Sequence, residues 1–250
     1  MSGPLPISIV LMAGGYGTRL YPLTKDCPKA LLPLGNTVML DHLLEKVLEI
    51  PGADQRVLVS NRLFFPKFEA WAREKRLGVD VIDDGTLTNE TRLGAIRDLA
   101  LALQRIPEDQ DVLVLGTDNL FTWSLADFVE FAKMKRPACT IAIRHASSLQ
   151  EASRCAVLDV DDRDRVVRCV EKPAQPFSTT VGVCVYYLPA ASRPRVGEFM
   201  RGGGNGDAPG SFIEWLVTQD AVYGFMTGGD WVDVGSRETY QQAVERWGRS

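Results

Sequence analysis

Ile7-Ser8-Ile9-Val10-Leu11-Met12-Ala13-Gly14-Gly15-Tyr16-Gly17-Thr18-Arg19-Leu20-Tyr21-Pro22-Leu23-Thr24 is an apolar run that breaks into closely spaced glycines, and its reading decides the fold. A short apolar run ending at a glycine pair reads as a buried strand of a parallel sheet feeding a tight turn. Glycines leave backbone N–H groups free to point at a phosphate, and Arg19 supplies countercharge. Lys29 adds a second cation within Pro28-Lys29-Ala30-Leu31-Leu32-Pro33. The segment therefore predicts a polyphosphate site.

Outward from that strand, Met39, Leu40, Leu43, Leu44, Val47 and Leu48 recur at helical spacing until Pro51-Gly52, and residues 56–59 read as a second strand. Phe65, Phe68, Trp71 and Ala72 predict a helix, residues 79–82 a strand, and Leu93, Ile96, Leu99, Ala100 and Leu103 another helix. Residues 112–115 read as a buried strand, and Ser124 as the cap of a helix running toward Pro137. Strands alternating with helices at these lengths mean βαβ units, an α/β fold with a mostly parallel sheet. After Cys139 strands predominate, at 140–143, 156–160, 166–170 and 181–187, with a hairpin turn at 161–164. Residues 201–210, with Gly202, Gly203, Gly204 and Gly206, predict a mobile surface loop. Ser236 caps a last helix whose stripe is Tyr240, Ala243, Val244 and Trp247, while Phe64, Phe65 and Trp123 are candidate exposed aromatics for a homo-oligomer interface.

Composition narrows the function. Hydrophobic residues at 45% and charged residues at 24% exclude disordered, collagenous and disulfide-miniprotein classes. Twenty-eight Lys and Arg against 32 Asp and Glu leave −4, which argues against nucleic acid or a membrane surface as partner, so an anionic ligand must be met locally. No apolar stretch nears the roughly 18 residues a bilayer requires, and residues 1–12 lack a basic signal-peptide start; a cytoplasmic protein is expected. Five cysteines without a C-x-x-C pair suggest neither a disulfide framework nor zinc. Leu20 stands where a dinucleotide fingerprint needs its third glycine, and G-K-[ST], G-x-S-x-G and H-E-x-x-H are all missing.

Gly14 to Pro33 meets every fixed position of G-G-x-G-T-R-L-x-P-L-T-x-x-x-P-K-x-L-L-P. Thr117-Asp118-Asn119, Val170-Glu171-Lys172-Pro173, Val181-Gly182-Val183 and Trp231-Val232-Asp233-Val234-Gly235 follow in order. In these motifs the chain resembles the sugar-1-phosphate nucleotidylyltransferases, or NDP-sugar pyrophosphorylases, a family that includes the glucose-1-phosphate thymidylyltransferases and their short single-domain relatives.

The resemblance implies a Rossmann-like three-layer sandwich with extra mixed strands in the C-terminal half. It implies a single domain over 1–250, with a nucleotide-binding half to about 138, a sugar-phosphate-binding half from about 139, and too little chain after Trp247 for an appended acyltransferase domain. Met12, Ala13, Gly14, Gly15, Gly17, Thr18 and Arg19 would bind the nucleotide, with Asn89 and Gly94 at the base. Asn119, Ala156, Glu171, Lys172, Val181 and Gly182 would bind the sugar phosphate. Asp118 and Asp233 would hold Mg²⁺, and Arg19, Lys29, Asp118 and Lys172 would carry catalysis. The partners implied are an NTP and a sugar 1-phosphate; the Asn89 amide suits uracil or thymine while Arg92 and Glu90 would equally suit guanine, so the reading leans toward UTP or dTTP with GTP or CTP open.

Three departures bear on specificity. Residues 88–95 lack the family's common glutamine, Arg154-Cys155-Ala156 replaces a Tyr-Gly before Val157, and Thr117 is inserted between Gly116 and Asp118. The same chemistry on a heptose, cyclitol or phosphoalcohol phosphate is the nearest alternative. A catalytically silent, sugar-nucleotide-sensing regulatory subunit is the alternative from another class, and retention of Arg19, Lys29, Asp118, Lys172 and Asp233 argues against it.

Overall fold

The computed structural model describes residues 6–53 and 55–248. β1 (Ile7–Ala13) runs through the glycine turn to a short ladder of β2 (Pro33–Leu34) with β3 (Thr37–Val38), then α1 (Met39–Leu48). β4 (Gln55–Ser60), α2 (Phe65–Lys75), β5 (Val79–Asp83), α3 (Ala95–Leu103) and β6 (Asp111–Gly116) continue the predicted alternation. β7 (Asn119–Phe121) precedes α4 (Leu125–Met134), whose first turn is capped by the Ser124 hydroxyl accepting the Asp127 N–H at 3.1 Å. β8 (Cys139–His145), α5 (Leu149–Ala152), β9 (Ala156–Val160), β10 (Val166–Glu171) and β11 (Thr180–Leu188) follow. The chain closes with α6 (Pro194–Arg201), α7 (Pro209–Gln219), β12 (Val222–Met226), β13 (Trp231–Asp233) and α8 (Arg237–Trp247).

One nine-stranded sheet runs through both halves of the chain. β5, β4, β1 and β6 are parallel neighbours; β11 joins β6 antiparallel, and β8, β9, β10 and β12 extend beyond it. Met12 is level with both Val59 and Gly116, so β1, β4 and β6 end flush. The chain leaves β1 toward β4 on one side, while β6 flanks it on the other. A crevice opens where strand order reverses in this way, beyond the carboxyl ends of the strands.

Side chains alternate between two buried layers. Ile7, Ile9, Leu11, Leu113 and Leu115 face α1, α2 and α4, whereas Val10, Val57, Val112 and Val114 face α3, α6 and α7. The result is the expected three-layer α/β sandwich with a mostly parallel sheet. No helix among the described residues is long and apolar enough to cross a membrane.

The structure corrects two expectations. Phe64 and Trp123 are buried, at 2% and 7% exposure, and Phe65 is half-buried at the start of α2. Trp123 stacks on Phe121 with ring centroids 4.1 Å apart, so aromatics leading into helices fill the space beneath them. Residues 201–210 comprise the last residue of α6 and the first turn of α7, with Pro209 at its first position. The residues between are fastened to α3, where the Ile96 N–H donates to the Gly206 carbonyl at 2.9 Å. The glycine count hid an element boundary.

Asp111 shows what holds the strand ends. Its buried carboxylate accepts from the Tyr187 hydroxyl at 2.5 Å and the Ala190 N–H at 2.9 Å, and pairs with Arg136 Nε at 2.9 Å. Asp111→Ala strips partners from a hydroxyl and a half-buried guanidinium, and is expected to cost about 3 kcal/mol. Urea unfolding checks this; a loss under about 1 kcal/mol at unchanged slope would contradict it.

Candidate active site

Gly17 sits at φ 62°, a left-handed conformation that glycine adopts without a Cβ clash, and its carbonyl accepts from the Leu20 N–H at 2.8 Å and the Thr24 hydroxyl at 2.7 Å. The Gly14 carbonyl accepts from the buried Asn61 amide beyond β4 at 3.1 Å. Leu20 and Leu32 pack with Leu34, Met39, Leu120, Val234 and Ala243, which ties the loop to α8. The signature thus divides its labour: its leucines anchor, leaving Gly15, Thr18 and Arg19 exposed along the cleft.

The cleft encloses about 550 Å³. At its centre Lys29 Nζ reaches Asp118 Oδ2 at 2.6 Å, and the Asn119 amide donates to Asp118 Oδ1 at 2.9 Å. Asn119 in turn accepts the Trp231 indole N–H at 2.9 Å. β7 pairs with β13 so that Asn119 lies opposite Asp233, which brings the second carboxylate beside the first. The inserted Thr117 ties β6 to β1, its hydroxyl donating to the Met12 carbonyl at 2.8 Å, and Asp118 still lines the cleft.

These charges act on one another. Removal from water pushes the Asp118 carboxyl up, but the Lys29 ammonium and the more distant Arg19 outweigh it and hold the group below the usual carboxylate range. Asp233 is pushed up to about 6, by burial first and then by the negative charge of Asp118.

On the opposite wall, β10 ends in Glu171, and Lys172 follows at φ 46°, a strained conformation for a side-chain-bearing residue. The Lys172 N–H donates to the Cys155 carbonyl at 3.0 Å, and its Nζ lies 3.3 Å from Glu171 Oε1. Gly210, in the first turn of α7, leaves Glu171 Oε2 no room for a Cβ between them. Ala156 and Gly182 line this wall. Val181 does not: its side chain is buried with Ala146, Ala152 and Val157 in a separate cluster, because neighbouring strand residues face opposite ways.

At the far end Gly94 has φ 91° and lies against the Gly206 carbonyl, beside Asn89. Arg92 grips Asp207 with two bonds, of 2.8 and 2.7 Å, closing this end. Asp98 of α3 also lines it, at 5% exposure, with Oδ2 where a Cβ on Gly14 would stand. Of the residues named from sequence, then, the structure gathers all but Val181. Asp98, Asp207, Gly210 and Trp231 line the cleft unforeseen as site residues. Pro209-Gly210 as a helix start was the available signal for one; Asp98 reads from sequence as a stray polar position on an apolar stripe.

The family model described as Nucleotidyl transferase matches residues 8–249. The mannose-1-phosphate guanyltransferase of Pichia angusta is 31% identical over 238 residues, covering 92% of this chain and 61% of the relative. The UTP–glucose-1-phosphate uridylyltransferase of Synechocystis sp. is 26% identical over 246 residues, covering 94% of this chain and 62% of the relative. The chain therefore spans about three-fifths of the length of these relatives. A crystal structure of UDP-glucose pyrophosphorylase complexed with UDP-glucose superposes with a TM-score of 0.80 at 18% identity, covering 98% of this chain and 99% of that one, which shows the shared fold.

Asp98 also sets a pH dependence. Burial, and then the charge of Asp84, push its carboxyl up to about 7, against about 4 when unfolded. The unfolded chain thus gives up this proton first. The stability associated with neutral Asp98 is full below about pH 4 and is lost as pH rises to about 7. Asp233 slopes the same way, so the measurement is wild type minus Asp98→Asn. Urea midpoints of the two should converge or cross as pH rises through that window, and parallel curves would refute the assignment.

Proposed function

Because the chain belongs to the nucleotidyl transferase family, we propose that it transfers a nucleotidyl group from an NTP to a sugar 1-phosphate, giving an NDP-sugar and pyrophosphate. The observation that carries this reading is the convergence on one cleft of a glycine-lined anion loop, Lys29, the Asp118–Asp233 pair and the Glu171–Lys172 wall. The named relatives act on mannose 1-phosphate with guanylyl transfer and on glucose 1-phosphate with uridylyl transfer.

An oxygen of the acceptor phosphate forms a bond to the α-phosphorus of the NTP, and the bond from that phosphorus to the bridging oxygen of the β-phosphate breaks. No protein base is required, since a phosphate monoester with a second pKa near 6 is already largely dianionic at neutral pH. The barrier is repulsion between anions held in line. Glycine-loop N–H groups and Arg19 hold the triphosphate, Lys172 offsets charge on the acceptor phosphate, and Lys29 lies where charge builds on the transferring group. Glu171, facing the same wall, suits sugar hydroxyls as an acceptor.

The donor set fits a hard divalent cation such as Mg²⁺. Asp118 and Asp233 are oxygen donors whose mutual repulsion is only partly offset by Lys29 and Arg19. Among the described residues no group of three or more His, Cys, Asp or Glu gathers around one point, so phosphate oxygens and water would complete the shell. When bound, such a cation supplies charge neutralisation.

Pyrophosphate release, measured across the common NTPs crossed with a panel of sugar 1-phosphates, tests the reading; silence with every pair would overturn it. Asp118→Asn and Asp233→Asn are each expected to lower Mg²⁺-dependent turnover by about 100-fold or more. Lys172→Ala should raise KM for the sugar 1-phosphate by about tenfold while leaving NTP affinity unchanged, as calorimetry would show.

A further inference from the structure

Asp98 is the one buried carboxylate of the cleft that the chemistry above leaves without a task. Its Oδ1 and Oδ2 of Asp84 are buried with no hydrogen-bond partner among the described residues. Asp84 is fixed in place, its Oδ1 accepting from the Thr86 N–H at 2.6 Å and the Thr86 hydroxyl at 2.7 Å. The Tyr16 phenol closes the chain 2.9 Å from that hydroxyl. Asp98 itself makes no such bond, and Asp84 is the one charged group felt by it. In its ionised form a buried carboxyl so unpaired costs free energy that a ligand's paired N–H donors recover, and such donors favour the ionised form.

Its position says which ligand. Asp98 lies against Gly14 in the first turn of α3, its N–H donating to the Gly94 carbonyl at 3.1 Å, and so lines the part of the cleft that Asn89, Gly94 and Ala95 also line. With phosphates at the glycine loop and the sugar phosphate at Lys172, that part receives the nucleobase. Guanine alone among the common bases presents two adjacent N–H donors, N1–H and N2–H, which match the two oxygens of a carboxylate. Uracil and thymine offer one N–H between two carbonyls, and adenine and cytosine set an amino group beside a bare ring nitrogen. Each of these turns at least one lone pair toward Asp98.

We infer that Asp98 reads the N1–H and N2–H edge of guanine, making GTP the nucleotide, in place of the UTP or dTTP toward which Asn89 leaned. The inference rests on the nucleotidylyltransferase reading for the placement of the base.

Calorimetric titration of the wild-type chain and of Asp98→Asn with GTP, inosine triphosphate, 2′-deoxy-GTP and UTP, without acceptor, tests it independently of turnover. Inosine triphosphate lacks only the N2 amino group. The wild type should bind GTP about tenfold or more tightly than inosine triphosphate or UTP, and Asp98→Asn should bring GTP and inosine triphosphate within about twofold of each other. Three results would overturn the inference: equal wild-type affinity for GTP and inosine triphosphate, tighter binding of UTP than GTP, or discrimination that survives in Asp98→Asn. A tenfold loss with 2′-deoxy-GTP but none with inosine triphosphate would place the carboxylate on the ribose and also overturn it. If the variant fails to fold, the wild-type comparison decides alone. Base discrimination without pyrophosphate release would sink the proposed function and not this assignment; pyrophosphate release from UTP without discrimination would do the reverse.

Discussion

Like charges held side by side in a half-dry cleft repel, and Asp118 and Asp233 are held so. They come from distant parts of the chain, one following β6 near its middle and the other closing β13. The short β7–β13 ladder sets them level, Asn119 braces the first from below through Trp231, and Lys29 leans on it from the signature. The apolar cluster of Leu20, Leu32, Leu120, Val234 and Ala243 supplies favourable burial that holds the ladder and the signature together. Much of the C-terminal region thus serves to keep a repulsive pair in register.

The parts of this arrangement that depend on periodicity were legible in the sequence. β1, β4, β6 and helices α1 to α4 announce themselves through regular burial, and the glycine turn after β1 follows from the abrupt end of the apolar run. Ladders two or three residues long, such as β2–β3 and β7–β13, carry no period to detect. α6 and α7 were hidden because Gly202, Gly203, Gly204 and Gly206 outvote short apolar stripes in any local count.

The cleft was legible to a different depth. Motif spacing located Arg19, Lys29, Asp118, Glu171, Lys172 and Asp233, whereas the direction of a strand side chain could not be taken from motif membership, as Val181 shows. Asp98 illustrates the opposite failure. On a helix stripe of Ile96, Leu99 and Ala102 it scores as a blemish, and only the approach of Gly14 and Asp84 gives it surroundings to be judged against.

The clasp of Arg92 on Asp207 has a consequence for how the rim behaves. Both side chains are well exposed, at 40% and 49%, so their attraction contributes little, of order 1 kcal/mol or less, and ionic strength weakens it. The glycines it helps to immobilise surrender more backbone freedom on ordering than any other residue type would. The entropy of ordering this edge therefore exceeds what the ion pair returns. The rim where α3 begins is thus held weakly, while the carboxylate pair at the centre is set by the β7–β13 ladder and the apolar cluster beneath it.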